Sequence, residues 1–113
     1  MKLTLADRAI IDPEKLRDYL LSDSHPIGRF KAAFFKSLGF TRDGWRELDR
    51  AIRALIAVSE ASLVDDTQYG RKYVVTGTLK GTAGRSGRVT TVWIVARGEE
   101  MPRFVTAYPE EER

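Results

Sequence analysis

Tyr73-Val74-Val75-Thr76-Gly77-Thr78-Leu79 decides the fold class. β-Branched and aromatic residues dominate it, and such residues suit a pleated, half-buried surface. Gly81-Thr82-Ala83-Gly84-Arg85-Ser86-Gly87 follows and reads as a flexible hairpin loop. Arg88 to Arg97 then forms a second strand, with Val89, Thr91, Trp93 and Val95 on one face. Gly98-Glu99-Glu100-Met101-Pro102 turns the chain into a third strand, Arg103-Phe104-Val105-Thr106-Ala107-Tyr108, which Pro109 stops. Thr106, Tyr108 and Phe104 are spaced by two, which predicts a shared face. Glu110-Glu111-Glu112-Arg113 reads as a frayed acidic tail.

Before Asp65-Asp66 the period is that of helices. Ala9-Ile10-Ile11 is an edge strand or an extended lead-in. Asp12-Pro13 starts a helix, with Asp as the cap and Pro at the first helical position. Its apolar face holds Leu16, Tyr19 and Leu20. His25-Pro26 opens a second helix with an apolar stripe of Ile27, Phe30, Phe34 and Leu38, ended by Gly39. Thr41 caps a third, which buries Trp45, Leu48, Ile52, Leu55 and Ile56 and turns Arg46, Glu47, Arg50 and Arg53 mostly to solvent. The expected architecture is α+β: N-terminal helices, residues 12–61, on one face of a C-terminal antiparallel sheet of three to four strands, residues 71–109. The length of 113 residues suits one domain over 1–113.

Composition narrows the function classes. Apolar residues at 42% and charged residues at 31% fit a globular chain. The absence of cysteine excludes a disulfide scaffold, a thiol nucleophile and a cysteine-ligated metal. No His/Asp/Glu spacing suggests a metal site, and no cofactor motif is present. The 81–87 loop lacks the lysine and following helix of a phosphate-binding loop. No apolar run is long enough for a membrane span, and no extended signal region opens the chain, so a cytoplasmic protein is expected. Net charge is +3, unevenly spread. Arg71, Lys72, Lys80, Arg85, Arg88 and Arg97 occur with no acid between Arg71 and Arg97, leaving the remainder of the chain at −3. A basic sheet surface would attract a polyanion such as RNA, though the same charges also serve to keep edge strands soluble.

His25 is the only histidine. Beside a helix N-terminus a neutral ring is favoured, and a neutral imidazole suits a general base. It equally suits a loop residue that helps start the helix. Lys31 borders the apolar stripe and could reach toward the sheet to meet a phosphate, or lay its stem on the core edge. Arg29 is a weaker candidate on the solvent face. Thr106 and Tyr108 could offer hydroxyls to a phosphate, and Trp93 could stack on a base or fill the core.

Three blocks carry a resemblance. They are His25-Pro26-Ile27-Gly28-Arg29-Phe30-Lys31-Ala32 with Phe35 and Leu38-Gly39-Phe40; Tyr69-Gly70-Arg71-Lys72-Tyr73-Val74-Val75; and Thr91-Val92-Trp93-Ile94-Val95 with Pro102 to Pro109. Together they resemble a family of uncharacterised bacterial domains found as small stand-alone proteins and as C-terminal modules of polymorphic toxins. The ending Val105-Thr106-Ala107-Tyr108-Pro109 is similar to the last strand of metal-independent toxin ribonucleases of the barnase/EndoU/colicin/RelE-like superfamily. That similarity implies cleavage of RNA through the ribose 2′-OH. His25 would be base or acid, Lys31 would stabilise the phosphorane, and Thr106 and Tyr108 would position the scissile phosphate. Arg29, Arg71, Lys72, Arg88 and Trp93 would bind substrate. Many such nucleases use more than one histidine. With one, the second proton-transfer partner would be Tyr108, Lys31 or the substrate. The other class open to the chain is a non-enzymatic binding module: an antitoxin- or immunity-like partner protein, or a small nucleic-acid binder.

Overall fold

A computed structural model describes residues 1–110. A short 3₁₀ turn (Ala6–Arg8) leads to α1 (Pro13–Lys15), which runs on into a π-helical segment (Leu16–Leu20). Then come α2 (Arg29–Ser37), α3 (Trp45–Val58), β1 (Ala61–Thr67), β2 (Gly70–Lys80), β3 (Ser86–Ala96) and β4 (Arg103–Pro109). The four strands form one antiparallel meander in the order β1-β2-β3-β4, and Ile10 adds a parallel bridge to Arg103 at the β4 edge. This is the expected α+β arrangement.

The core lies between the helices and one face of the sheet. Leu48, Ile52, Leu55 and Ile56 of α3 are buried with Val75 and Leu79 of β2 and Val89 and Trp93 of β3. Thr41 accepts the Gly44 N–H at 3.0 Å, so the helix itself begins at Trp45. Arg53 does not extend into solvent as expected: its guanidinium donates to Ala9 O at 2.7 Å and pairs with Asp49.

Four expectations about the secondary-structure elements need correction. The sheet begins at Ala61, because β1 pairs with β2 from Ala61↔Val75 to Thr67↔Gly70. Beyond Ala61 every residue of β1 is exposed, so no alternation of apolar and polar residues betrays it. The first helix keeps a single α turn before widening. Leu21 N–H bonds Leu16 O at 2.9 Å, a five-residue step, and the Asp12 side chain makes no capping bond.

The stripe on α2 is the third. Half of the expected stripe holds: Leu38 is buried and Phe34 packs on the core, but Ile27 is 60% exposed and Phe30 75%, and Ala32 and Phe35 are buried in their place. Both faces fit a spacing of three and four. The one with small residues wins because α2 must come very close to its neighbour. A Cβ on Gly28 would lie 1.9 Å from the Tyr19 carbonyl oxygen.

The fourth concerns β4. Its register slips between Val92↔Thr106 and Trp93↔Phe104, which leaves Val105 as an extra, bulged residue. The bulge breaks the strict alternation. Phe104 and Ala107 are both buried, and Phe104 packs edge-on against Trp93 at 5.3 Å. Thr106 and Tyr108 instead pair with Val92 and Thr90, so they do not share the face of Phe104.

The acid-free run is not a uniform basic face either. Arg71 and Lys72 are successive strand residues and point oppositely. Arg71 and Arg97 lie 3.5 and 3.7 Å from Asp66 of β1, and Arg88 lies 2.9 Å from Glu110. The strand pairing brings acids from outside the run to neutralise it in part. Of the expected acidic tail, only Glu110 lies among the described residues, and its N–H bonds Arg88 O.

Candidate functional site

Three unusual pieces of backbone meet at the β4 edge. The π-helical segment carries Tyr19, and such segments are frequent at functional sites. Gly28 lets the start of α2 press on the Tyr19 backbone, which brings Lys31, one turn later, beside the phenol. The Val105 bulge turns Thr106 toward both.

The result is a closed triangle of hydrogen bonds. The Lys31 Nζ donates to the Tyr19 hydroxyl at 2.9 Å and to Thr106 Oγ1 at 2.8 Å. Thr106 Oγ1 in turn donates to the Tyr19 oxygen at 3.2 Å. The same ammonium lies 5.2 Å from the Tyr19 ring centre and 5.9 Å from that of the exposed Tyr108. Burial pushes the Tyr19 phenol up. The bonds from Lys31 and Thr106, with the charges of Lys31 and Lys15, outweigh that and hold it below the ordinary tyrosine range.

His25 stands beside the triangle, its ring edge-on to Tyr19 at 4.9 Å. Its Nδ1 accepts the backbone N–H groups of Ile27 and Gly28, both at 3.0 Å. Two amide donors need a lone pair at Nδ1, so in the neutral ring the proton sits on Nε2. Nε2 is then a donor, and the basic nitrogen is occupied. The buried Ser22 fixes the turn before it, its Oγ accepting the His25 N–H at 3.2 Å. His25 therefore caps the approach to α2, and a base at this ring would first have to break the cap.

A cleft of about 560 Å³ opens next to these groups, lined by Tyr19, His25, Val105 and Thr106 with Asp12, Glu14, Lys15 and Asp18. Asp18 takes hydrogen bonds from Arg17 and Arg42, which hold its carboxyl down to about 2. The cleft thus has carboxylates on its rim and a lysine ammonium behind its hydroxyls. Among the described residues no cluster of three or more His, Asp or Glu could hold a metal ion, and no helix is long and apolar enough to cross a membrane.

Of the candidates read from sequence, Lys31, Thr106 and Tyr108 converge, and His25 joins them through Tyr19. Arg29 lies outside, stacked on Phe30 at 4.6 Å. Arg71 and Lys72 are on β2, which β3 separates from β4. Arg88 is nearer, two residues before Thr90, the partner of Tyr108. Trp93 is fully buried and donates to Thr91 Oγ1 at 2.8 Å, so it offers no ring face to a base. By spacing alone Tyr19 belongs to an apolar face with Leu16 and Leu20. The one available signal was a hydroxyl-bearing residue among leucines, and only the Gly28 contact reveals what it meets.

No curated protein matches the sequence. Among solved structures, a chain of the contact-dependent growth inhibition toxin–immunity protein complex from Klebsiella pneumoniae 342 has a similar structure. The TM-score is 0.70 at 21% sequence identity, over 95% of this chain and 97% of that one. At that identity the likeness speaks for a common fold. The family resemblance read from the three sequence blocks is borne out over nearly the whole chain: a family model matches residues 2–111, and the protein belongs to the family described as Domain of unknown function (DUF6883).

Proposed function

We propose that the domain is a toxin-like ribonuclease that cleaves RNA by attack of the ribose 2′-OH without a metal. The observation that supports this best is the convergence of Lys31, Tyr19, Thr106 and Tyr108 within a few ångströms at the β4 edge. Phosphoryl transfer needs positioning and charge stabilisation more than covalent chemistry. The Lys31 ammonium has three N–H donors, two of them held by Tyr19 and Thr106. The third is left for a phosphate oxygen, where charge builds in the phosphorane. Thr106 and Tyr108 position that phosphate. The His25 Nε2–H adds a donor at the cleft, Lys15 lines it, and Arg88, once released from Glu110, would meet a neighbouring phosphate.

The carboxylates of Asp12, Glu14 and Asp18 constrain the pose. A phosphodiester would be repelled from their side of the cleft, so the scissile phosphate belongs beside Lys31 and Tyr108. The fold shared with a chain of a toxin–immunity complex favours a toxin-system role. Action on cytoplasmic RNA and restraint by a cognate immunity or antitoxin protein are parts of the same proposal.

The test is incubation of the purified protein with tRNA or total RNA in EDTA. The expected result is cleavage leaving 2′,3′-cyclic phosphate ends. Lys31→Ala should lose about 10²–10³-fold, the cost of one preorganised donor. Intact RNA at high concentrations of folded protein overturns the proposal.

One observation favours a second reading, a non-enzymatic binding module of the immunity or antitoxin kind. Ile27 and Phe30 present apolar side chains together on the approach to α2 and its first turn. On that reading the protein forms a stable complex with a co-expressed neighbour on size exclusion. Ile27→Ser/Phe30→Ser would break the complex, and Lys31→Ala would not.

A further inference from the structure

We infer that Tyr19 is the general acid of the proposed cleavage, giving its phenolic proton to the departing 5′-oxygen. This rests on the ribonuclease reading and names a group that reading lacked. A phenol has one O–H to donate and lone pairs to accept with. The acceptor side of Tyr19 is taken by the Lys31 N–H and the Thr106 O–H. Its own proton therefore points elsewhere, and the phenol lines the open cleft. Once that proton is given away, the phenolate is already held by an ammonium and a hydroxyl. Such donors cost no reorganisation at the moment of reaction.

The other polar groups around it are less suited. His25 offers Nε2–H only while Nδ1 caps the Ile27 and Gly28 amides, and a second ring proton would collide with those N–H groups. Lys31 is committed to the phosphate and to the triangle. Lys15, Asp12, Glu14 and Asp18 face the same cleft. Lys15 favours the phenolate, as Lys31 does, and the three carboxylates oppose it.

The step balances as follows. The 2′-O–H proton passes to a non-bridging phosphate oxygen as the O2′–P bond forms. The P–O5′ bond breaks, and O5′ takes the Tyr19 proton. The proton left on the cyclic phosphate returns to the phenolate through water.

The test compares two RNA oligonucleotides cut by the wild-type protein. One is ordinary RNA, and the other has sulfur in place of the bridging 5′-oxygen at the cleaved position. A thiolate leaves without protonation. Tyr19→Phe, checked for native circular dichroism, should lose about 10²–10⁴-fold on ordinary RNA, the usual worth of general acid catalysis. On the sulfur substrate the loss should shrink to about tenfold or less, since the acid's share of the barrier is gone. Thr106→Val removes a donor that favours the phenolate, so the phenol rises and the alkaline limb of the rate profile should move to higher pH. Tyr19→Phe with near wild-type rate on ordinary RNA overturns the assignment, as does an equal defect on both substrates. In either case the ribonuclease reading stands. If the wild-type protein cuts neither substrate, the ribonuclease reading falls and takes the acid with it.

Discussion

β1 and β4 are the two edges of one sheet, and each carries one extra residue. In β1 the register slips between Leu63 and Asp65, around Val64; in β4 it slips around Val105. The outcomes differ. Leu63, Val64 and their neighbours stay exposed, with Asp65 and Asp66 beside them. At β4 the same device sends Phe104 into the core and Thr106 against Lys31 and Tyr19. A bulge re-aims side chains, but what they meet depends on what lies over the edge. α1 and α2 pack against β4, and Tyr19 of the π-helical segment meets Thr106, whereas α3 packs chiefly on β2. A free, bulged and acidic edge resists pairing with other chains. A covered one becomes a place to build a site.

Substitutions can sharpen or break that contrast. The largest effect is expected at Phe104. Phe104→Ala should destabilise by about 3–5 kcal/mol, as buried aromatic truncations do. Denaturant unfolding measures this, and a loss similar to that of a surface change would mean β4 is not keyed into the core. Gly28→Ala comes next. Its methyl group meets the Tyr19 backbone rather than a flexible side chain, so overpacking of about 1–3 kcal/mol is expected. The same substitution should separate Lys31 from Tyr19, which lowers RNA cleavage even at temperatures where the protein is folded.

Asp18, on the rim of the cleft, provides a pH test. Its carboxyl is held down to about 2 by hydrogen bonds from Arg17 and Arg42. A depressed carboxyl stabilises the fold above its unfolded value, near 3.8, and that contribution disappears as pH falls through its folded value. Wild-type melting temperature should therefore fall between about pH 4 and pH 2 more steeply than that of Asp18→Asn. Parallel curves would show that the bonds from Arg17 and Arg42 contribute nothing. The smallest effect belongs to the other edge. Leu63→Ser should change stability by no more than about 0.5 kcal/mol, within the range of surface substitutions. A large loss there would show that β1 is covered after all.

Much of the fold was legible in the residues. Strands β2, β3 and β4 follow from β-branched and aromatic content between Tyr73 and Tyr108, and α3 follows from Leu48, Ile52, Leu55 and Ile56, because one buried face imposes its period on a helix. β1 was not legible, since a strand exposed on both faces has no such period to impose. The N-terminal half of the α2 face, Ile27 and Phe30, turned out exposed for a related reason. Two sets of positions had helical spacing, and hydrophobicity alone could not choose the one with Gly28 and Ala32. Lys31, Thr106 and Tyr108 were named from their chemistry and from resemblance, and they do meet.

The sequence by itself therefore settled the helix-then-meander order and the family, because local periodicity and residue pattern suffice for both. Tertiary structure alone decided that Tyr19 completes the cluster, that His25 spends its basic nitrogen on two backbone amides, and that Trp93 is core. It also showed that the basic run from Arg71 to Arg97 is partly neutralised by Asp66 and Glu110. Each of these depends on a contact between residues distant in the chain or on a local backbone departure: a π turn, a bulge, a glycine pressed against a carbonyl. Periodicity averages over such single-residue events, and they are what set the geometry of the site.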